Sequence, residues 1–238
     1  PVEEPAAGDG QQGGGNGVRV LTFEGLGSSD LGPAGPKTEY VTDFYDGGQG
    51  GDGEGAFGPD WGITFSENAI AAVDSDEGGP GNFGGEPSPD TAMGFISGEG
   101  AFMNVPAGFD TGFSFYYTSP FYTGVIKVYD GLNGTGNLLA EFELPLTPNN
   151  GEPDPTGIYS PYVPFGVEFD GVAKSVDFGG TANEIGFDNI TLGSGTPVGG
   201  DGEPDFVTAE FTVFLATGAT AADVTVTLLA VDGTATGG

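Results

Sequence analysis

The stretch "GFSFYYTSPFYTGVIKVYDGLNGTGNLLAEFEL", residues 112–144, decides the fold. It holds three runs of aromatic and β-branched residues, 112–118, 124–130 and 138–144, in which apolar and polar positions tend to alternate. Alternation with a period of two is the signature of a strand with one face on a core. Phe113 and Phe115 alternate as core residues do. Between the second and third runs, "DGLNGTGN" (130–137) is rich in residues that accept positive φ, as a hairpin loop requires.

Outward from this stretch the same texture recurs. Strands are expected at 18–24, 39–45, 61–66, 91–97, 101–105, 163–169, 173–179 and 184–192, with turn clusters between them. That spacing predicts an all-β chain, a jelly-roll-like antiparallel β-sandwich over residues 18–193. Helix signals are nearly absent; "ENAIAAVD" (67–74) has room for one helical turn. Residues 1–17 read as a flexible Gly-rich leader and 194–204 as a linker. The loops 46–60, 74–90 and 147–161 exceed ordinary connection lengths, a mark of functional or metal-pinned segments.

Beyond the linker, "DFVTAEFTVFLATGATAADVTVTLLAVDG" (205–233) reads as a C-terminal β-hairpin extension within 205–238. Val207, Phe211, Val213 and Leu215 share one face of its first strand. Val224, Val226 and Leu228 share one face of its second. Two strands alone are marginal in water. Leaving about eight large apolar side chains uncovered would forgo on the order of 10 kcal/mol, comparable to a whole domain's stability. The ribbon needs a partner sheet, and another copy of the chain is the expected one.

Charge narrows the function. There are 35 acidic residues against 4 basic ones, a formal net charge of −31. Nucleic-acid binding needs basic side chains to displace counterions, so it is excluded, and anionic lipid is excluded on the same grounds. No apolar run approaches the roughly 18 residues of a membrane span. The absence of Cys and His removes disulfides, thiol chemistry and imidazole catalysis. Paired carboxylates are the catalytic device left, and among so many acids no spacing singles out a pair, so no enzymatic activity is expected. The first residue is Pro1 rather than Met, as removal of an export signal would leave, and an extracellular or cell-surface location is expected.

Two carboxylates stand out by phase. Strict alternation puts Asp188 on the side of Ile190 and Leu192, and Glu24 on the side of Val18 and Val20. A carboxylate turned toward a core needs a partner, and with so few bases a Ca²⁺ ion is the natural one. The alternative is a bulge or strand end that returns each side chain to solvent. "DSDEG" (74–78) places Asp74 and Asp76 close together as a second, smaller calcium site, the alternative being a solvated loop. Trp61, Tyr116, Tyr117, Tyr122, Tyr159 and Tyr162 are the aromatic residues that a glycan-binding face would use, against a role in packing.

Five segments taken in order, "VLTFEGL", "WGITFSENAIAAVD", "GTGNLLAEFEL", "VAKSVDFGG" and "IGFDNITLG", resemble the β-sandwich of secreted bacterial proteins of the PEP-CTERM-associated type. That fold is similar to the jelly rolls of carbohydrate-binding modules. The resemblance spans roughly residues 18–193 and implies that Glu24 and Asp188 hold a structural Ca²⁺. The residues that mark the sorting tail are not in this sequence. Three readings follow: a self-assembling extracellular structural subunit, a secreted carbohydrate-binding module that adheres to glycans, or a piece of a longer protein.

Overall fold

The computed structural model describes residues 17–27, 32–51, 53, 55–149 and 157–199. Most of the leader and the whole terminal hairpin lie outside these residues. So do the hairpin positions singled out above, Val207, Phe211, Val213, Leu215, Val224, Val226 and Leu228.

Twelve strands make up the described secondary structure: β1 (Arg19–Leu21), β2 (Thr38–Tyr40), β3 (Thr64–Phe65), β4 (Ala69–Val73), β5 (Thr91–Phe95), β6 (Gly100–Phe109), β7 (Gly112–Thr118), β8 (Gly124–Tyr129), β9 (Leu138–Leu144), β10 (Val163–Glu168), β11 (Ala173–Gly179) and β12 (Gly186–Leu192). They form two antiparallel sheets. One runs β10-β7-β12-β5-β4-β2, with β1 also on β12; the other runs β3-β6-β11-β8-β9. From β5 to β8, and again from β9 to β12, each connection crosses to the opposite sheet. That is the jelly-roll-like sandwich expected from the sequence.

The core lies between the sheets and is dominated by aromatic rings. Phe115, fully buried, touches the rings of Phe113, Tyr117, Phe142, Phe165, Phe178 and Phe187 at centroid separations of 5.4–6.4 Å. The alternation in "GFSFYYT" produces this directly: Phe113, Phe115 and Tyr117 face inward, while Tyr116 joins a smaller cluster with Ala92, Tyr162 and Phe83.

Three local expectations are corrected. The run 67–74 carries β4 and not a helical turn: Ala69 and Ala71 sit fully buried between β2 and β5, and that packing overrides alanine's helix preference. The run 39–45 leaves the sheet after Tyr40, because Thr42 has φ 26° and the chain turns; Val41, Phe44 and Tyr45 reach the core from that turn. The first strand ends at Leu21. Its inward residues are Leu21 and Phe23, whereas Val18 is exposed. The hairpin loop 130–137 is as expected, with Asn133, Gly134 and Gly136 at positive φ.

The two sheets end differently along one flank. Edge strands β9 and β10 lie across the sandwich from each other, with Phe142 stacked on Phe165 at 4.8 Å. Leu139, Ala140, Phe142, Val163 and Phe165 are only partly buried there, an apolar seam between two edges that each pair on one side. Pro164 interrupts the donor pattern of β10. The sequence of β9, "LLAEFEL", contains neither Pro nor Gly.

Truncating the aromatic hub tests this packing. Phe115→Ala is expected to lower the unfolding free energy by about 3–5 kcal/mol, read from urea midpoints at unchanged m.

Candidate functional site

β12 contains a bulge. Its register on β7 shifts between Asp188 and Thr191, and Asn189 sits at φ 46°, a left-handed conformation that Asn tolerates. Phe187 opposes Tyr117 and Leu192 opposes Phe113, both core-facing; Asp188 opposes Tyr116 on the other face. The bulge therefore splits the run, and Asp188 does not share a side with Ile190 and Leu192. It is nonetheless fully buried, because the loop that follows β4 lies over that face.

Ser88 of that loop makes the contact. Its backbone N–H donates to Asp188 Oδ2 at 2.8 Å, and its Oγ lies 2.8 Å from both carboxyl oxygens. Asn189 N–H donates to Oδ1 at 2.6 Å. Ser88 Oγ is also 3.0 Å from the carbonyl oxygen of Thr22. A hydroxyl has one proton to give. If Ser88 donates to Thr22, Asp188 completes the chain best as a neutral acid donating to Ser88 Oγ. Burial first, and the Glu24 charge in addition, push the Asp188 carboxyl up to about 8, against the lowering effect of its hydrogen bonds, which favours the neutral acid.

Glu24 stands in the turn after β1 and not in the strand. Its Oε1 accepts from Asp90 N at 3.1 Å and Thr91 N at 3.0 Å. It does not share a face with Val18 and Val20 as strand alternation required; Phe23, at φ 64°, turns the chain just before it. The buried Tyr45 hydroxyl accepts from Phe23 N at 2.7 Å, and burial together with Asp188 and Glu24 keeps it a neutral phenol. The structure thus brings Glu24 and Asp188 into one electrostatic neighbourhood around Thr22 and Ser88. Reading strand phase alone missed Ser88; what marks it is its place in an overlong loop.

The atoms gathered there, two carboxylates, a carbonyl and a hydroxyl, are all oxygens, the ligand type that a hard cation takes. None of the hydrogen bonds to Asp188 comes from a basic side chain. Asn189 Oδ1, beside Asp188 in the chain, is buried with no hydrogen-bond partner. These residues fit Ca²⁺ by donor chemistry. Among the described residues, though, no group of three or more acidic side chains is gathered closely enough to hold a metal by itself.

Asp74 and Asp76 lie apart from this pair. Asp74 is buried and braces its own loop, accepting from Asp76 N and Phe83 N, both at 3.1 Å. With Glu77 and Glu86 they border a surface pocket of about 230 Å³. Lys37 donates to the Glu77 carbonyl at its edge.

Of the six aromatic candidates, Trp61, Tyr116, Tyr117 and Tyr122 do not form one face. Trp61 stacks on Tyr45 at 5.6 Å against the core. Tyr116 and Tyr117 are buried, and Tyr117 donates to the Pro145 carbonyl at 3.0 Å. Tyr122 is exposed.

No protein-family model and no curated protein matches the chain. Among solved structures it is similar to the K1 cleaved adhesin domain of Lys-gingipain from Porphyromonas gingivalis W83. The two are 14% identical over 55% of this chain and 96% of that one, with a TM-score of 0.34.

The raised Asp188 carboxyl gives a pH signature of definite sign. The folded state holds this proton up to about pH 8, whereas the unfolded chain releases it near 3.8. Folding therefore binds a proton in that window, and the contribution is present at low pH and lost as pH rises. In metal-free buffer the melting temperature is expected to fall between about pH 5 and about pH 8. Asp188→Asn should flatten the part of that slope which general charge repulsion does not explain.

Proposed function

We propose that this protein is a non-enzymatic extracellular structural subunit that joins copies of itself into a filament or matrix by β-strand addition. The observation that carries this reading is the outer edge of β9 beside the apolar seam. A seven-residue edge that no described strand pairs, without Pro or Gly though bulged against β8 at Leu139, is a template for a further strand. The tail hairpin of a neighbouring copy supplies a matching strand by sequence: Val207, Phe211, Val213 and Leu215 would cover Leu139, Phe142 and Phe165 while its backbone pairs with β9. Glu141 and Glu143, exposed on this edge, add to the negative charge that two copies must bring together, so screening by salt should favour assembly.

Ca²⁺ belongs to the same reading as a structural ion. Glu24 and Asp188 would hold it, with the Thr22 carbonyl completing an oxygen shell. Bound there, it would take the place of the proton on Asp188 and offset the charge of Glu24 beside it. Such an ion stabilises the fold according to its occupancy, by about 2.7 kcal/mol at a hundredfold excess over Kd.

Two measurements test the proposal. Negative-stain microscopy and sedimentation of the full chain at moderate salt should show polymers, and deletion of 205–238 should leave monomers. The peptide "DFVTAEFTVFLA" (205–216) in excess should block growth. Monomers from the intact chain, or polymers that survive the deletion, would overturn the assembly. Separately, Ca²⁺ added after chelation should raise the melting temperature of the native chain but not of Asp188→Asn. An unchanged transition removes the ion from the reading.

A further inference from the structure

The outer face of the larger sheet carries a pocket of about 240 Å³ unrelated to the β9 flank. Ile70 and Ala72 of β4 with Ala92 and Gly94 of β5 form its floor. Three of these are small and Ile70 is aliphatic, so the floor is apolar. Phe83 and Tyr159 wall it, their rings edge to face at 6.5 Å, and Phe121, more than half exposed, extends the wall at 6.1 Å from Tyr159. The wall is held in place. Tyr159 hydroxyl is 3.0 Å from the Glu184 carboxylate and 3.0 Å from the Asn183 carbonyl, and Phe83 is tied to Asp74 through its backbone N–H.

Two carboxamides line the same pocket. Asn82 uses its Oδ1 to accept from Ile158 N at 3.0 Å, leaving its NH₂ without a partner among the described residues. The Asn183 amide is exposed and makes no side-chain hydrogen bond there. A carboxamide both donates and accepts, which matches neighbouring hydroxyl groups on one ligand.

These features select a ligand class. The volume lies below the roughly 300–1,000 Å³ of drug-sized sites, so it takes a single ring. The apolar floor and aromatic wall need a ring with C–H-rich faces, and the two amides need hydroxyls at its edge. A chain with net charge −31 repels anions, and no basic side chain lines the pocket. We propose that this pocket binds one neutral pyranose unit of a glycan. Of the six aromatic residues singled out in the sequence the site uses Tyr159, and it is independent of the assembly reading.

Saturation-transfer NMR on the full chain tests it, since the signal is read on the sugar and tolerates a large receptor. The probes are the methyl glycosides of glucose, galactose and mannose, and N-acetylglucosamine, each to tens of millimolar. At least one should give a saturable signal. Ala72→Phe, which fills the floor, should abolish it. Asn183→Gly, which suits the φ of 62° at that residue, should weaken binding about tenfold, the loss of roughly one hydrogen bond. Melting curves report whether each variant folds, and Asn183→Gly decides the matter if Ala72→Phe does not. No saturable signal from any of the four sugars overturns the proposal. So does a signal that both variants leave intact, which would put the sugar elsewhere. Binding of p-cresol in place of the sugars, lost in Ala72→Phe, would reassign the pocket to an aromatic side chain of a protein partner.

Discussion

A buried carboxyl group whose hydrogen bonds come from Ser88 and Asn189 shapes much of one face of this molecule. Asp188 is turned out of the main core by a bulge in the central strand β12, then sealed over by Ser88. That contact fixes the loop 74–90 across the larger sheet. From the same loop and the first residue of β5 come the two N–H groups that hold Glu24, and from the loop comes Phe83, which walls the pocket on that face. A buried acid is costly unless something compensates for its charge. Here a proton compensates, and the hydrogen-bond chain from Asp188 through Ser88 to Thr22 can accommodate it.

Much of the architecture was legible from alternation alone. Residues 112–118, 138–144 and 173–179 are strands with the boundaries that their pattern implies, because each pairs with neighbours along its length. Legibility failed where the backbone leaves the period of two. Bulges and left-handed residues, Asn189, Thr42 and Phe23, shift the phase without changing composition, so Asp188 and Glu24 were assigned to the wrong faces although both belong to one buried acidic neighbourhood. The alanines of β4 misled for a different reason: their burial between two strands depends on partners distant in sequence. The aromatic residues were conspicuous by type, but exposure is a tertiary property. Tyr116 and Tyr117 are adjacent in sequence and packed on opposite faces, and neither is free at the surface.

The few basic residues are placed economically. Lys127 in the middle of β8 opposes Asp177 of β11 on one side and Glu141 of β9 on the other. Burial raises the Asp177 carboxyl and Lys127 draws it back down. Opposite charges across strands favour this register over a slipped one. Asp130 is held below the ordinary carboxylate range mainly by the Asn137 side chain and backbone, with Lys174 contributing. In a chain this acidic, hydrogen bonds from amides take over much of the work that bases do elsewhere.

The contrast between the two strands bordering the apolar seam has a consequence for valence. Pro164 blunts one border, so among the described residues β9 is the receptive edge on that flank, and the proposed assembly pairs it with the hairpin 205–238 of a neighbour. With one such socket and one such plug per subunit, that assembly would link each copy to two others. Any polymer built that way is unbranched, and its two ends are chemically distinct, one with an empty socket and the other with an unsatisfied plug. Growth, capping and attachment to a surface can then each act on one end without affecting the other.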